Sequence, residues 1–193
     1  MKSSSIRIIA GTLKGRRVPT YEGLDIRPTA ERVREALFSI LSETIRGAKV
    51  LDAFAGTGAI GLEALSRGAS EVVFVEHNVT AVTSIEKTLT QWSLGASGRV
   101  FKEEVLLAIR NPNLVRYRPF DVLYIDPPYR LPDIEQLLVQ IEQADLMAPQ
   151  ATIIHEHPSR HKVPSAIGSW NHYRTERYGH SSISFYQPRV SHG

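Results

Sequence analysis

The sequence contains no cysteine among its 193 residues. A disulfide framework, a zinc site built on thiolates and a cysteine nucleophile are therefore excluded. No apolar run is long enough to cross a bilayer, and no apolar segment like that of a signal peptide follows Met1–Ser5. Internal repeats are also lacking. With 42% hydrophobic residues, the chain can bury a full core, so we expect a single globular unit in the cytoplasm with no membrane partner.

Net charge is low, but it is unevenly placed. Residues 1–34 hold eight Lys and Arg against three acidic residues, a local charge of +5 in a chain whose total is +3. Short β-prone segments flank Gly11 and Gly15, which predicts a small hairpin with a basic rim. Such a rim would contact phosphates without reading sequence, whereas a merely solvated charged surface is the alternative. The candidate contacts are Arg7, Lys14, Arg16 and Arg17.

Residues 49–65 read as a strand, a glycine turn and a helix, and the chain is organised around them. An apolar run ends at Asp52, and Gly56, Gly58 and Gly61 then lead into apolar residues at helical spacing. In such a turn, backbone N–H groups and a helix N-terminus can approach a ligand closely. The three glycines satisfy G-x-G-x-x-G, so a dinucleotide site and a purely structural turn are both alternatives.

Two acidic residues narrow the choice of ligand. Asp52 would repel a pyrophosphate but suits a ligand with an ammonium or sulfonium group, such as S-adenosylmethionine (SAM). Glu76 closes the next apolar run about 20 residues after the glycine turn, which is the spacing expected for an acid that binds ribose hydroxyls. NAD enzymes use the same spacing, so Glu76 alone does not discriminate between the two cofactors.

A further buried strand, residues 121–125, runs directly into Asp126-Pro127-Pro128-Tyr129. Two prolines cannot continue a central strand, so the chain leaves the sheet there in a stiff, extended conformation. A carboxylate, a fixed carbonyl and an aromatic ring at that edge suit methylation of an exocyclic amine on a base. Asp126 and the Pro127 carbonyl would accept the two amine N–H groups, and the base, rotated out of any helix, would stack on Tyr129.

These motifs resemble those of a known family. Asp126–Tyr129 is similar to the (D/N)-P-P-(Y/F) motif of amino-methyltransferases that act on bases. Further segments, in this order, resemble the RsmD family, bacterial enzymes that methylate the N2 amine of one guanine in 16S ribosomal RNA. The resemblance extends from about Ile6 to Tyr186 and rests on residues 7–11, 14–17, 27–29, 32–38, 52–56 and 178–179.

The resemblance implies the seven-stranded, doubly wound α/β sheet of SAM-dependent methyltransferases, with an antiparallel C-terminal hairpin. It implies SAM as cofactor and 16S rRNA, within the small ribosomal subunit, as partner. We expect residues 1–28 to form the basic hairpin extension and residues 29–193 the methyltransferase domain. Monomer is the default oligomeric state, and no obligate protein partner is expected.

The resemblance also extends the set of candidate site residues. It places Phe54 with the cofactor turn, Arg27 and Thr29 beside the cofactor pocket, and Glu104 where the family presents Asp or Asn to the adenine. The longer side chain of Glu104 departs from that pattern, and a solvent-facing acid at a helix start is its alternative. Arg34 is a candidate RNA contact, with an ion pair to Glu31 or Glu35 as the alternative. Arg130 follows Tyr129 and would meet a phosphate.

A metal site is not expected. His155, His157 and His161 are close in sequence, but methyl transfer to an amine needs no metal and the chain has no H-E-x-x-H motif. The alternative functions are an adenine-N6 methyltransferase acting on DNA or RNA, and an NAD-binding oxidoreductase or silent nucleotide-binding module. No segment could supply the inserted recognition domain usual in DNA-adenine enzymes, and Asp52 with the Pro-Pro motif speaks against the NAD class.

Overall fold

The computed structural model describes residues 5–20, 31–127 and 134–189. The predicted N-terminal hairpin is present. Its strands, β1 (Ser5–Arg7) and β2 (Arg17–Pro19), pair antiparallel, with Ile6 opposite Val18. Both of these side chains are buried, so the hairpin packs its apolar side on the rest of the protein and leaves its charged residues outside.

Alternating strands and helices follow the hairpin. The strands are β3 (Lys49–Ala53), β4 (Glu71–Glu76), β5 (Gly98–Lys102), β6 (Phe120–Ile125), β7 (Met147–Pro158), β8 (Ala166–Ile167), β9 (Trp170–Tyr178) and β10 (Ser181–Pro188). The helices are α1 (Glu31–Ile40), α2 (Ala59–Ser66), α3 (Val79–Gln91), α4 (Val105–Ala108), α5 (Pro112–Val115) and α6 (Ile134–Gln143). The apolar run that Glu76 closes is β4, and the run 121–125 forms most of β6.

One sheet in the order β5-β4-β3-β6-β7-β10-β9-β8 forms the centre of the molecule. The five strands from β5 to β7 are parallel, while β10 runs antiparallel to β7, and β9 antiparallel to β10. The predicted doubly wound α/β fold with an antiparallel C-terminal hairpin is thereby confirmed. The two-residue β8 adds an eighth strand to the seven expected.

Helices cover both faces of the sheet and give it two apolar cores. On one face, residues of α1, α2, α3 and the hairpin pack with Val50, Val122 and Ile154. On the other, residues of α4, α5 and α6 pack with Leu51, Leu123 and related strand residues. Buried parallel strands read as continuous apolar runs for this reason. None of the helices in the described ranges is long and apolar enough to span a membrane.

Helix α2 lies unusually close to β4 because Gly61 faces the strand. A Cβ atom on Gly61 would lie 2.2 Å from Cε1 of Phe74 and 2.8 Å from Cγ1 of Val72. The third glycine of the turn motif is therefore a packing requirement, since any side chain would push the helix away from the sheet.

The hairpin segment is hydrogen-bonded to Glu63 and Ser66 in the C-terminal half of α2. Both carboxylate oxygens of Glu63 accept backbone N–H groups, from Ile9 at 2.8 Å and from Ala10 at 3.1 Å. The Ser66 hydroxyl accepts from the Leu13 N–H at 3.0 Å. Glu63 and Ser66 are fully buried by these contacts. The predicted boundary between residues 28 and 29 lies outside the described residues and stays a prediction.

Candidate active site at the carboxyl edge of the sheet

The glycine turn between β3 and α2 has the left-handed backbone that its glycines permit. Gly56 has φ 55° and Gly58 has φ 76°, and Gly58 is the N-cap of α2. Phe54 also adopts a positive φ, 65°, which is uncommon for a bulky residue and turns the chain sharply after β3. The three residues place the turn at the carboxyl edge of the parallel strands, where open α/β sheets bind ligands.

Asp52 is buried and hydrogen-bonded within the protein. Its side chain is 2% exposed, and Oδ2 accepts the Gly61 N–H at 2.9 Å, so the carboxylate holds the first turn of α2. Burial raises the pKa of Asp52 to about 7, with the Gly61 bond opposing the rise and the charge of Glu76 adding to it. A cation bound nearby would offset this repulsion.

Glu76 lies where the spacing predicts, at the end of β4 beside the glycine turn. Its Oε2 accepts the Gly56 N–H and its Oε1 accepts the Asn78 N–H, both at 2.8 Å. These bonds fix the carboxylate against the turn. Because each carboxylate oxygen has two acceptor positions, Glu76 retains the capacity to accept ribose hydroxyls.

Asp126 and Pro127 follow β6 directly, one strand away from the glycine turn. Burial raises the pKa of Asp126 well above its usual range, and the charges of Glu156 and Asp52 raise it further. Asp126 is therefore poorly solvated and close to two other carboxyl groups. A group of this kind would be stabilised by a ligand that donates N–H groups. Pro128 and Tyr129 lie outside the described residues.

Sequence reasoning missed Glu156 as a site residue. Ile125 pairs with His155 in the parallel register of β6 and β7, so Asp126 and Glu156 each follow one member of that pair. The Tyr124 hydroxyl donates to Oε2 of Glu156 at 2.5 Å. The signal is present in the sequence, since Glu156 comes shortly after the apolar run 151–154, much as Asp126 follows the run 121–125.

Of the remaining cofactor candidates, only Glu104 lies within the described residues. Glu104 is exposed at the N-cap of the short helix α4 and makes no side-chain capping bond. Its neighbour Glu103 instead accepts from the Asn111 side chain at 3.0 Å. Arg27, Thr29 and Arg130 lie outside the described residues, so their predicted contacts stay predictions.

The basic rim of the hairpin is present on the surface. Lys14, Arg16 and Arg17 are exposed, as the hairpin prediction requires. The Arg16 guanidinium lies 5.4 Å from the ring centroid of Trp92, and Arg17 donates to the Ser5 hydroxyl at 3.1 Å. The charged groups of these three side chains are therefore exposed to solvent, and those of Arg16 and Arg17 are oriented by neighbouring residues.

Two other candidate arginines, Arg7 and Arg34, differ in their exposure to solvent. Arg7 is exposed but forms an ion pair with Glu31. Arg34, predicted as an RNA contact, is 2% exposed, and its Nη2 donates to the Arg7 carbonyl at 2.8 Å. Desolvation lowers the pKa of Arg34, with Glu63 and Glu31 opposing the shift. The structure thus contradicts a surface role for Arg34, because its guanidinium ties α1 to the hairpin from inside.

Three histidine rings lie close together, with His155 and His157 buried and His161 exposed. The rings of His155, His157 and His161 lie 5.0–6.4 Å apart between centroids. His157 already bonds the Pro158 carbonyl and the Ser184 hydroxyl. Within the described residues no group of three or more His, Asp or Glu side chains is arranged to hold a metal ion.

Sequence comparison gives relatives for nearly the whole chain. Residues 6–187 match the model of a family described as "Conserved hypothetical protein 95". Ribosomal RNA small subunit methyltransferase D of Escherichia coli (strain K12) is 32% identical over 185 residues, 96% of this chain and 91% of that protein. The Haemophilus influenzae protein of the same name is 31% identical over 94% of this chain and 93% of its own length.

Structure comparison agrees with these relatives. A Thermus thermophilus protein described as hypothetical has a TM-score of 0.77 and 28% identity, covering 93% of this chain and 98% of that one. The T. thermophilus 16S rRNA N2 G1207 methyltransferase (RsmC), solved with AdoMet and guanosine, has a TM-score of 0.72 at 24% identity. The matched region covers 97% of this chain and 50% of the RsmC chain. The second likeness shows a shared SAM-methyltransferase fold.

Proposed function

The chain belongs to the ribosomal RNA small subunit methyltransferase D family, and on that premise we propose that it methylates the N2 amine of one guanine in 16S ribosomal RNA. The observation that carries the proposal is the position of Asp126 and Pro127. They leave the sheet at the carboxyl end of β6, next to the glycine turn after β3. An amine held there would lie beside a cofactor bound at the turn.

The residues at the turn suit SAM. Asp52 is a buried carboxylate with a raised pKa, which favours a cationic neighbour, and Glu76 stands against the turn with acceptor capacity for ribose hydroxyls. Positive φ at Gly56 and Gly58 brings the backbone to the ligand without a side chain between them. When bound, SAM would supply an electrophilic methyl group on its sulfonium.

The chain's own contribution to the chemistry is to hold the amine. The N2 lone pair of guanine is delocalised into the ring and is a poor nucleophile. With Asp126 accepting one N–H and the Pro127 carbonyl accepting the other, the nitrogen is drawn towards tetrahedral geometry and its lone pair is directed at the methyl group. Tyr129 would stack on the flipped base. As the bond from nitrogen to the methyl group forms, the bond from methyl to sulfur would break and leave a neutral thioether. The proton lost from the methylated amine would pass to water, and no covalent enzyme intermediate is required.

The hairpin supports the choice of a ribosomal substrate. Exposed Lys14, Arg16 and Arg17 form a sequence-independent surface for phosphates, as a protein that finds one base in a large folded RNA requires. Because Glu63 and Ser66 tie the hairpin segment to α2, this surface is held in a fixed relation to the glycine turn. The substrate would be the RNA within the assembled small subunit.

The test is transfer of radiolabelled methyl groups from SAM to small ribosomal subunits that lack the modification, with duplex DNA in parallel, followed by nucleoside analysis. We expect label in N2-methylguanosine. Label in N6-methyladenine would keep the chemistry and overturn the target. If neither substrate is labelled and NADH but not SAM raises the melting temperature, the methyltransferase proposal is wrong.

One variant assigns the amine contact. Asp126→Asn should lower turnover roughly a hundredfold or more, because a neutral amide accepts the amine N–H less strongly. It should leave the Kd for SAM within about twofold and should not lower thermal stability, since the raised pKa of Asp126 marks a charge that the fold disfavours. Asp121→Asn is the matched control, because Asp121 lies on the same strand at the opposite edge and accepts the Lys49 N–H. Full activity in Asp126→Asn would remove Asp126 from this role.

A further inference from the structure

Four carboxyl side chains lie at or near the carboxyl ends of four neighbouring strands of the sheet. Glu76 ends β4, Asp52 lies near the end of β3, Asp126 follows β6, and Glu156 lies near the end of β7. The first three have places in the proposed function, as ribose acceptor, cation partner and amine acceptor. Glu156 has none, although it lies on the strand next to the amine acceptor.

The position of Glu156 is fixed by a buried side chain. Tyr124 is 3% exposed within β6, and its hydroxyl reaches Oε2 of Glu156. Tyr124 pairs with Ile154 in the register of β6 and β7, two residues before Asp126 and Glu156 respectively. Since side chains two residues apart on a strand share a face, Glu156 and Asp126 extend the same face of the sheet as Tyr124.

The two carboxyl groups are close enough to sense each other. After burial, the charge of Glu156 is the largest influence that raises the pKa of Asp126, and the charge of Asp52 on the other side adds to it. Two carboxylates in a poorly solvated place gain most from a ligand that presents two adjacent N–H donors. A ligand that presents a lone pair to either carboxylate would be repelled.

The edge of guanine has this pattern and the edges of the other amino bases do not. Guanine presents N1–H next to the N2 amine, so two neighbouring positions donate. Adenine and cytosine present an amine next to an unprotonated ring nitrogen, which is an acceptor. One carboxylate beside the amine distinguishes these bases weakly, whereas a second carboxylate opposite the ring nitrogen distinguishes them strongly.

We propose that Glu156 is the residue that selects guanine, by accepting the N1–H of the target base while Asp126 accepts an N2–H, and that Tyr124 positions it. This inference rests on the proposed function. A carboxylate has about four acceptor positions, so the bond from Tyr124 is compatible with a second bond to the base. Adenine is rejected because its N1 lone pair would face the Glu156 carboxylate.

The test compares wild type with Glu156→Gln on small ribosomal subunits that lack the modification. The Gln side chain keeps the size of Glu but turns an acceptor into a group that can donate. We expect kcat/KM for the RNA to fall roughly ten- to a hundredfold, the effect of losing one charge-assisted hydrogen bond, with the Kd for SAM unchanged. Glu176→Gln, the same substitution on β9, is the matched control and should keep wild-type activity.

Two further readouts separate recognition from a merely structural role. Guanosine and 2,6-diaminopurine riboside, which keeps the N2 amine but lacks N1–H, are used as competing inhibitors of the transfer. Wild type should prefer guanosine by about tenfold or more, and Glu156→Gln should lose or reverse that preference. The acid limb of the kcat/KM profile should also move to lower pH in the variant, because Asp126 then faces the charge of Asp52 alone.

Each outcome bears on the inference. If Glu156→Gln loses activity but keeps both the preference for guanosine and the wild-type pH profile, Glu156 is only structural and the inference is wrong. Wild-type activity in Glu156→Gln would also contradict the inference. If the variant does not fold, Tyr124→Phe, which keeps the carboxylate but removes the hydroxyl that bonds it, should reduce the preference for guanosine, and an unchanged preference would overturn the inference. A wild type that labels no guanine refutes the proposed function instead.

Discussion

At the scale of single residues, Asp52 has a structural role, and the proposed function gives it a second role as the partner of the cofactor cation. Its carboxylate accepts the Gly61 N–H, and burial raises its pKa to about 7, so the group titrates near neutral pH. A bound sulfonium or ammonium would favour the ionised form. Binding of SAM should therefore release this proton, and the affinity should depend on pH.

We expect the Kd for SAM, measured by titration calorimetry, to improve several-fold, up to about tenfold, between pH 6 and pH 7.5. The sign follows from the raised pKa, since below about 7 the carboxyl must first lose its proton before it can stabilise the cation. In Asp52→Asn the affinity should be lower and this pH dependence much flatter. Asp126, whose pKa is also raised, remains in the variant, so an equal slope in both proteins would assign the effect to Asp126 and not to Asp52.

At the scale of elements, helix α2 is fixed by two carboxylates. Asp52 accepts the N–H of Gly61 in its first turn, and Glu63 in the middle of the helix accepts the N–H groups of Ile9 and Ala10 in the hairpin segment. Gly11 completes this contact, because it has φ 84° and a Cβ there would lie 1.8 Å from the Ser66 carbonyl oxygen. The hairpin is therefore attached to α2 by several hydrogen bonds and a close backbone contact.

The hairpin should determine the salt dependence of RNA binding. Replacing Arg16 and Arg17 with Gln removes two exposed charges that the fold does not need for its core. Binding to small subunits should weaken, and the slope of log Kd against log salt should decrease by up to about two units, roughly one for each phosphate that is no longer neutralised. The matched control replaces Arg174 and Arg177 on β9, and it should keep the wild-type slope. An unchanged slope in the hairpin variant would count against the basic rim.

Most elements could be predicted from the sequence because their signals are local. Buried parallel strands read as apolar runs, and the glycines and prolines mark where the chain turns, so β4, β6 and the C-terminal hairpin were predictable. The links between elements were not. The bonds of Glu63 to the hairpin span more than fifty residues, and Glu156 is adjacent to Asp126 only through the register of β6 and β7. Arg34 looks like a surface charge until α1 packs against the hairpin.

At the scale of the whole molecule, the antiparallel strands and β7 bury a set of polar side chains. A chain of hydrogen bonds crosses three strands, from His172 to Thr175, from Thr175 to Ser184 and from Ser184 to His157. The Nδ1 of His157 lies 3.0 Å from the Pro158 carbonyl, which only accepts, so that nitrogen carries a proton. Beside it, His155 is 3% exposed.

The buried histidines should make the fold sensitive to acid. Burial, with repulsion from His157 and His161, lowers the pKa of His155 to about 3, and burial also lowers the pKa of His157. The unfolded chain binds a proton at each of these positions near pH 6.5, whereas the folded protein does not, so stability falls as the pH decreases below that value. At pH 5, His155 alone should cost about 2 kcal/mol of unfolding free energy, or roughly 4–8 °C in Tm.

The measurement is the change in Tm between pH 7 and pH 5 in wild type and in His155→Leu. The variant cannot take up the proton, so its change should be smaller by the amount assigned to His155. Asp52 and Asp126 act in the opposite direction, because their raised pKa values make the fold less stable as the pH rises, but they are present in both proteins and cancel in the comparison. His180→Asn, at an exposed turn, should behave as wild type. Equal changes in wild type and His155→Leu would show that His155 takes up a proton in the folded protein, contrary to its buried position.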